Sequence, residues 1–261
     1  MGKQSWAGAL DRLVYSAPVR SIEFAAVQGA NLLLPASCAV CSRADHRLCS
    51  DCRRALHEQL RLPPLPHGQQ VYLELAVLQR QIPVAAAGIY ANELARAVLA
   101  YKDHQRYFLR QIFAPYLAAC LNTMLVPQPA DRQTLLVPMP SSLKAVGKRG
   151  YRPVLALLRA AEQRGLLDRG LSIDTLLHYS TGQLFTGTQK SKSGSARRGA
   201  KISFIAQEPA VRQQPILLVD DVMTTGSTLK KAAITCENAG YEVLGAVVLA
   251  LTKGPSDGEE V

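Results

Sequence analysis

The residues best suited to chemistry lie in LLVDDVMTTGSTL, Leu217 to Leu229, where an apolar run ends in two adjacent carboxylates, Asp220 and Asp221. Three residues later come Thr224, Thr225, Gly226, Ser227 and Thr228. A glycine lets a backbone approach a ligand closely, and free N–H groups at a helix start favour phosphate. Hydroxyls add further donors. Carboxylates beside a phosphate would repel it, so the acids need another partner. Sugar hydroxyls or magnesium would serve. A ribose phosphate satisfies both halves of the motif. The Gly-Lys-Ser/Thr signature of nucleoside-triphosphate loops is missing. A Ser/Thr helix cap with surface acids explains any two of these residues, but not the whole run at a strand end.

A second constellation is CAVCSRADHRLCSDC, in which Cys38, Cys41, Cys49 and Cys52 form two C-x-x-C pairs. Two such turns facing each other supply the tetrahedral thiolate set that zinc prefers. Two disulfides are the alternative, one that a cytoplasmic chain disfavours. Four sulfurs close the shell, so the zinc is expected to be structural, in a small ribbon or knuckle. His46, between the pairs, could compete as a ligand. Cys120 and Cys236 stand in apolar, helix-like stretches and read as packing residues.

Positioning these groups requires a scaffold. Residues 1–35 read as an amphipathic helical segment, 36–56 as the zinc module, and 57–81 as a linker stiffened by Pro63, Pro64 and Pro66. From 82 the pattern becomes that of a compact domain reaching 253, followed by a polar tail, 254–261, expected to be disordered. IPVAAAGIY, TLLVP, PILLVD and YEVLGAVVLALT read as strands. Helices are expected in ANELARAVLAYKDHQ, from Tyr107 to Met124, in YRPVLALLRAAEQRG and in STLKKAAITCENAG, with Gly240 as its C-cap. Apolar strands alternating with helices predict an α/β fold with a mostly parallel sheet and flanking helices. The DD-TTGST motif then falls at a strand's carboxyl end, where ligands of open α/β sheets bind.

Hydrophobic residues make up 48% of the chain, and mean hydropathy is near zero. No apolar run reaches the ~18 residues of a membrane span, and Asp11, Arg12 and Arg20 interrupt any secretory signal. A cytoplasmic protein without membrane insertion is expected. The net charge is +10, and the window Ser141–Arg212 holds thirteen Lys or Arg against four Asp or Glu. The excess is therefore concentrated in one segment, which is either a solvated basic loop or a surface for polyanions.

LLVDDVMTTGSTL resembles the phosphoribosyl pyrophosphate (PRPP) motif of type I phosphoribosyltransferases. Together with the cysteine module, the AYK ending at Lys102, VPMP at 137–140 and KRGY at 148–151, it is similar to the ComF/GntX family over about residues 32–252. That resemblance implies a type I phosphoribosyltransferase-like domain. Asp220 and Asp221 would serve the ribose hydroxyls and magnesium, and Thr224, Thr225, Gly226, Ser227 and Thr228 the 5′-phosphate. Lys102, Ser141, Ser142, Lys144, Lys148, Arg149 and Arg152 would serve the pyrophosphate. It also implies natural transformation as the setting, with PRPP or a related phosphosugar as ligand and single-stranded DNA and DNA-uptake proteins as partners. Lys190, Lys192, Arg197, Arg198 and Lys201 are the candidate nucleic-acid contacts, in a segment that could serve as a mobile hood. An adaptor role is expected; transfer of phosphoribose from PRPP to a nitrogenous base is the alternative. No residue near the loop stands out as a base-activating acid. The chain departs from the family pattern at RGYRP, where Arg152 and Pro153 replace an Asn-Gln pair, and at Ala200, where Asn is common.

Overall fold

Continuous apolar runs can be strands only where both faces are covered. The computed structural model buries four such runs, Val84–Ala87, Leu136–Val137, Ile216–Val219 and Ala246–Ala250, in the middle of one sheet. The structure describes residues 37–65, 71–124, 133–180 and 203–252, with only the backbone course for 61–65. The helical segment expected over 1–35, the tail 254–261 and the basic residues Lys190, Lys192, Arg197, Arg198 and Lys201 lie outside them. Two compact units divide the chain, Met1–Arg53 and Arg54–Val261.

The elements follow in the order α1 (Ser50–Gln59), β1 (Leu60–Leu65), β2 (Val71–Leu75), β3 (Arg80–Ile89), α2 (Asn92–Asp103), α3 (Arg110–Thr123), β4 (Thr134–Pro138), α4 (Leu143–Arg149), α5 (Pro153–Gln163), β5 (Leu171–Ile173), β6 (Leu177–Tyr179), β7 (Phe204–Ala206), β8 (Gln214–Met223), α6 (Ser227–Asn238) and β9 (Tyr241–Leu251). The main sheet has the order β1-β3-β9-β8-β4-β5, with β2 also paired to β3. The contacts from β3 through β9, β8 and β4 to β5 are parallel. Those of β1 and β2 to β3 are antiparallel. This is the mostly parallel sheet with flanking helices that the sequence predicts.

The stretch 57–81, expected as a linker, instead holds the end of α1, strands β1 and β2, a 3₁₀ turn at Ala76–Leu78 and the start of β3. Pro63 and Pro64 fall between Leu60 and Leu65, where the β1–β3 register shifts. Prolines are tolerated at such an irregular edge because no ladder donor is needed there. Strand β8 also outlasts its apolar run. Its pairing with β9 continues through Asp220↔Val248 to Met223↔Leu251, carrying both acids inside the ladder.

Side chains alternate across a strand. Ile216 and Leu218 of β8 pack with Leu229, Ala232, Ala233 and Cys236 of α6 in one large core cluster. Leu217 and Val219 are equally buried but lie outside that cluster; α3 and α5 also contact the sheet, and they cross each other through Ala114, Ala118, Ala160 and Ala161. Four alanines at that crossing bring the two helices close together.

Candidate functional site

Strand order defines where a ligand can enter. From β4 the chain leaves through α4 and α5 to its neighbour β5; from β8 it leaves through α6 to β9, on the opposite side. Strands β4 and β8 are adjacent, so their carboxyl ends flank a topological switch point, the place where open α/β sheets bind ligands. The backbone stitches these ends together. Met139 N–H donates to the Val219 carbonyl at 2.8 Å, and Thr252 N–H donates to the Met223 carbonyl at 2.9 Å. VPMP therefore lies directly beside the start of the acid pair.

The anion loop sits at that crevice. Gly226 has φ +69°, a left-handed conformation that glycine accepts at little cost. A Cβ there would come within 2.3 Å of Leu73 Cδ2, so β2 closes over the loop from outside. Thr224, Thr225 and Ser227 are exposed and Thr228 is half-buried. Ser227 N–H points to the Thr225 hydroxyl at 3.4 Å, and no side chain caps α6 from its N-cap position. The loop thus gathers hydroxyls around the amino-terminal end of a twelve-residue helix.

The two acids meet different surroundings. Asp220 pairs in register with Val248, a member of the α6-side core, so its side chain shares a face with the anion loop's helix. It is half-buried, and one carboxylate oxygen accepts from Asp221 N–H at 2.8 Å. Burial, and then the neighbouring Asp221 carboxylate, hold Asp220 well above the usual carboxylate range. Tyr179 of β6 is raised by its burial and by Asp220, which places the phenol within electrostatic reach of the site. Asp221 is 4% exposed and turned the other way, with its two oxygens 2.9 and 2.8 Å from Lys102 Nζ. Burial works against the Lys102 charge, but Asp221 and then Asp220 more than restore it, holding the ammonium above the ordinary lysine range.

The residues expected at the pyrophosphate are placed as follows. Lys102 closes on Asp221. Ser142 is the N-cap of α4, its hydroxyl accepting from Ala145 N–H at 3.2 Å. Ser141 is half-buried just after VPMP, and Lys144 and Lys148 are exposed on α4. Arg149 ends α4 with a 2.7 Å ion pair to Asp103. Arg152 is the half-buried N-cap of α5. Sequence reasoning missed the residues that fix this arrangement. Tyr101, fully buried, donates to the Pro153 carbonyl at 2.7 Å, while the Tyr151 hydroxyl donates to the Tyr101 carbonyl. Tyr151 also packs edge-on against Tyr107, on which the Arg110 guanidinium lies. The available signal was the tyrosine inside each of the two short motifs, AYK and KRGY.

In the first unit, Cys38–Cys41 and Cys49–Cys52 come together. Their four sulfurs lie within 4.8 Å of one another, and His46, exposed, is not among them. Cys49 Sγ is 3.8 Å from Cys38 Sγ and 3.7 Å from Cys41 Sγ. A tetrahedron of bonds near 2.3 Å has edges of about 3.8 Å, so the thiols stand at metal-binding separation. Ser42, at φ 63°, turns the first knuckle, and Cys52 lies in the first turn of α1. Burial opposes ionisation of Cys38, but hydrogen bonds from the backbone of Cys41, Cys49 and Val40 outweigh it and draw the thiol down to about 6. Cys120 and Cys236 are fully buried in the other unit, their thiols pushed up to about 12 by burial.

Comparison with known proteins places these features in context. The family described as phosphoribosyl transferase domain matches residues 165–261, which include the anion loop. The competence protein ComFC of Streptococcus pneumoniae is 27% identical over 140 residues, 54% of this chain and 55% of that protein. The chain thus spans about half the length of the curated relative it matches. Among solved structures, the allosteric regulatory enzyme of purine biosynthesis is similar at 16% identity over 57% of this chain and 26% of that chain, with a TM-score of 0.32. A hypoxanthine-guanine phosphoribosyl transferase of L. donovani is similar at 16% identity over 57% of this chain and 68% of that chain, also with a TM-score of 0.32.

Proposed function

We propose that this chain, a phosphoribosyltransferase-like protein of the ComF type, binds PRPP or a closely related phosphosugar and acts as an adaptor in the uptake or processing of exogenous DNA. The observation carrying the ligand is the juxtaposition of the Thr224–Thr228 loop with Asp220 at the β4–β8 switch point. The loop's amides and hydroxyls suit the 5′-phosphate. Asp220, on the loop's own face, suits the ribose hydroxyls. The segment after VPMP, with Ser141 and the basic residues of α4, suits the pyrophosphate. Magnesium would accompany PRPP and neutralise its pyrophosphate. The cysteine cluster would hold a structural zinc, since four thiols leave no open coordination position.

The DNA part of the reading is supported by the relative's description as a competence protein and by the charge of the segment containing Lys190, Lys192, Arg197, Arg198 and Lys201. Contacts led by phosphates would make single-stranded DNA binding fall steeply with salt and depend little on sequence. A second reading, favoured by the family match, is transfer of phosphoribose to a nitrogenous base. Positioning and charge stabilisation would then supply most of the catalysis.

Titration with PRPP and magnesium, followed by a pyrophosphate-release assay over a panel of bases, decides between them. Binding without turnover, together with salt-sensitive binding of single-stranded DNA, is the expected result. Pyrophosphate release dependent on one base would establish the transferase instead, and absence of PRPP binding by the folded protein would overturn both readings.

A further inference from the structure

Tyr101, Lys102 and Asp103 are consecutive in the last turn of α2, and each is held by a different part of the molecule. Tyr101 is locked against Tyr151 and the Pro153 carbonyl, Lys102 against Asp221, and Asp103 against Arg149. One helical turn thereby ties β8 to α4 and to the start of α5. Two of the groups tied up in this way, Lys102 and Arg149, are cations that a pyrophosphate would otherwise be expected to attract.

Three features distinguish Lys102 from a ligand contact. Its ammonium already meets both oxygens of Asp221, at 2.9 and 2.8 Å. Asp221 is almost fully buried, so its charge requires a fixed counter-ion. Asp220 pairs in register with Val248 of the α6-side core, and the amino terminus of α6 carries the anion loop, whereas the Asp221 carboxylate is taken up by Lys102 of α2. We propose that Lys102 is a positioning residue that fixes and neutralises Asp221 behind β8, so that Asp220 alone of the two acids is presented to the sugar. The ligand part of this inference rests on the PRPP reading above; the ion-pair part does not.

The test uses the full chain and the variants Lys102→Met, Asp220→Asn, Asp221→Asn and Lys102→Met/Asp221→Asn. Thermal melts read the pair itself. Lys102→Met is expected to lower the melting temperature by roughly 5 °C, because it strands a buried charge, and adding Asp221→Asn to recover most of that loss. Titration with PRPP and magnesium reads the consequence. Affinity should fall about tenfold or more in Lys102→Met, recover to within a few-fold of the parent in the double variant, and be lost in Asp220→Asn. A double variant that regains stability but binds PRPP as weakly as Lys102→Met would show that Lys102 touches the ligand. Equal loss of binding in Asp221→Asn and Asp220→Asn would show that both acids face the sugar. Either result overturns the proposal. If the parent protein binds no PRPP, the PRPP reading fails by itself. The melts then decide the ion pair, which independent, additive effects of Lys102→Met and Asp221→Asn would refute.

Discussion

Asp220 and Asp221 are neighbours of identical chemistry that the strand separates into different environments. Asp221 has a lysine counter-ion at 2.8 Å, whereas Asp220 is half-buried beside another carboxylate and raised above its ordinary range. A group whose folded-state pKa exceeds its unfolded value contributes stability fully below the unfolded value and loses it as pH rises through the folded one. Asp220 therefore weakens the ligand-free fold at neutral pH, an arrangement typical of residues selected for binding. Asn resembles the neutral acid. Asp220→Asn is expected to melt above the parent protein at about pH 8, with the advantage shrinking as pH falls toward about 4. Melts in EDTA without PRPP measure this, and an unchanged or lowered melting temperature at pH 8 would contradict the assignment. Neither the Lys102–Asp221 pair nor its consequence for Asp220 is legible in the chain, because the partners are 119 residues apart and each has many plausible alternatives.

At the scale of elements, legibility follows burial. The strands buried on both faces, β3, β4, β8 and β9, declare themselves as apolar runs, and α2, α3, α5 and α6 as periodic ones. The three-residue strands β5, β6 and β7 exist through pairing with distant partners, which local pattern does not record. Strands β1 and β2 are hidden by the prolines around them, and the last residues of β8 by two carboxylates that are poor strand formers. The anion loop is the element where local and tertiary demands coincide. Gly226 needs a positive φ, and it also needs an absent side chain, because Leu73 of β2 fills that space. Gly226→Ala is therefore expected to lower PRPP affinity about tenfold and to cost about 1–2 kcal/mol of stability from the backbone alone. Adding Leu73→Ala should relieve the crowding without restoring the backbone. Titration and melts of the single and double variants check this, and full recovery in the double would show that sterics alone fix the glycine.

At the scale of the whole molecule, the resemblance read from the motifs is borne out by the family match and the competence-protein relative, and the two units differ in what sustains them. Arg54–Val261 has a continuous sheet covered on both faces and a large aliphatic core. Among the described residues of the first unit, the buried hydrophobic positions are Cys38, Val40, Leu48, Cys49 and Cys52, so three of the five are metal-site thiols. With so few apolar positions among them, the described residues of this unit are expected to rely on a metal held by the four thiols for their order. Removing the metal with a strong chelator is thus expected to expose four reactive thiols and abolish protease resistance around residues 37–53. The melting transition of the α/β unit should persist. Thiol titration provides the count: Cys38, Cys41, Cys49 and Cys52 should react after chelation, while Cys120 and Cys236, both 0% exposed, should react only on global unfolding. Four thiols that react equally before chelation would refute a bound metal. Release of all six at once would show that the metal sustains the entire fold rather than its first unit.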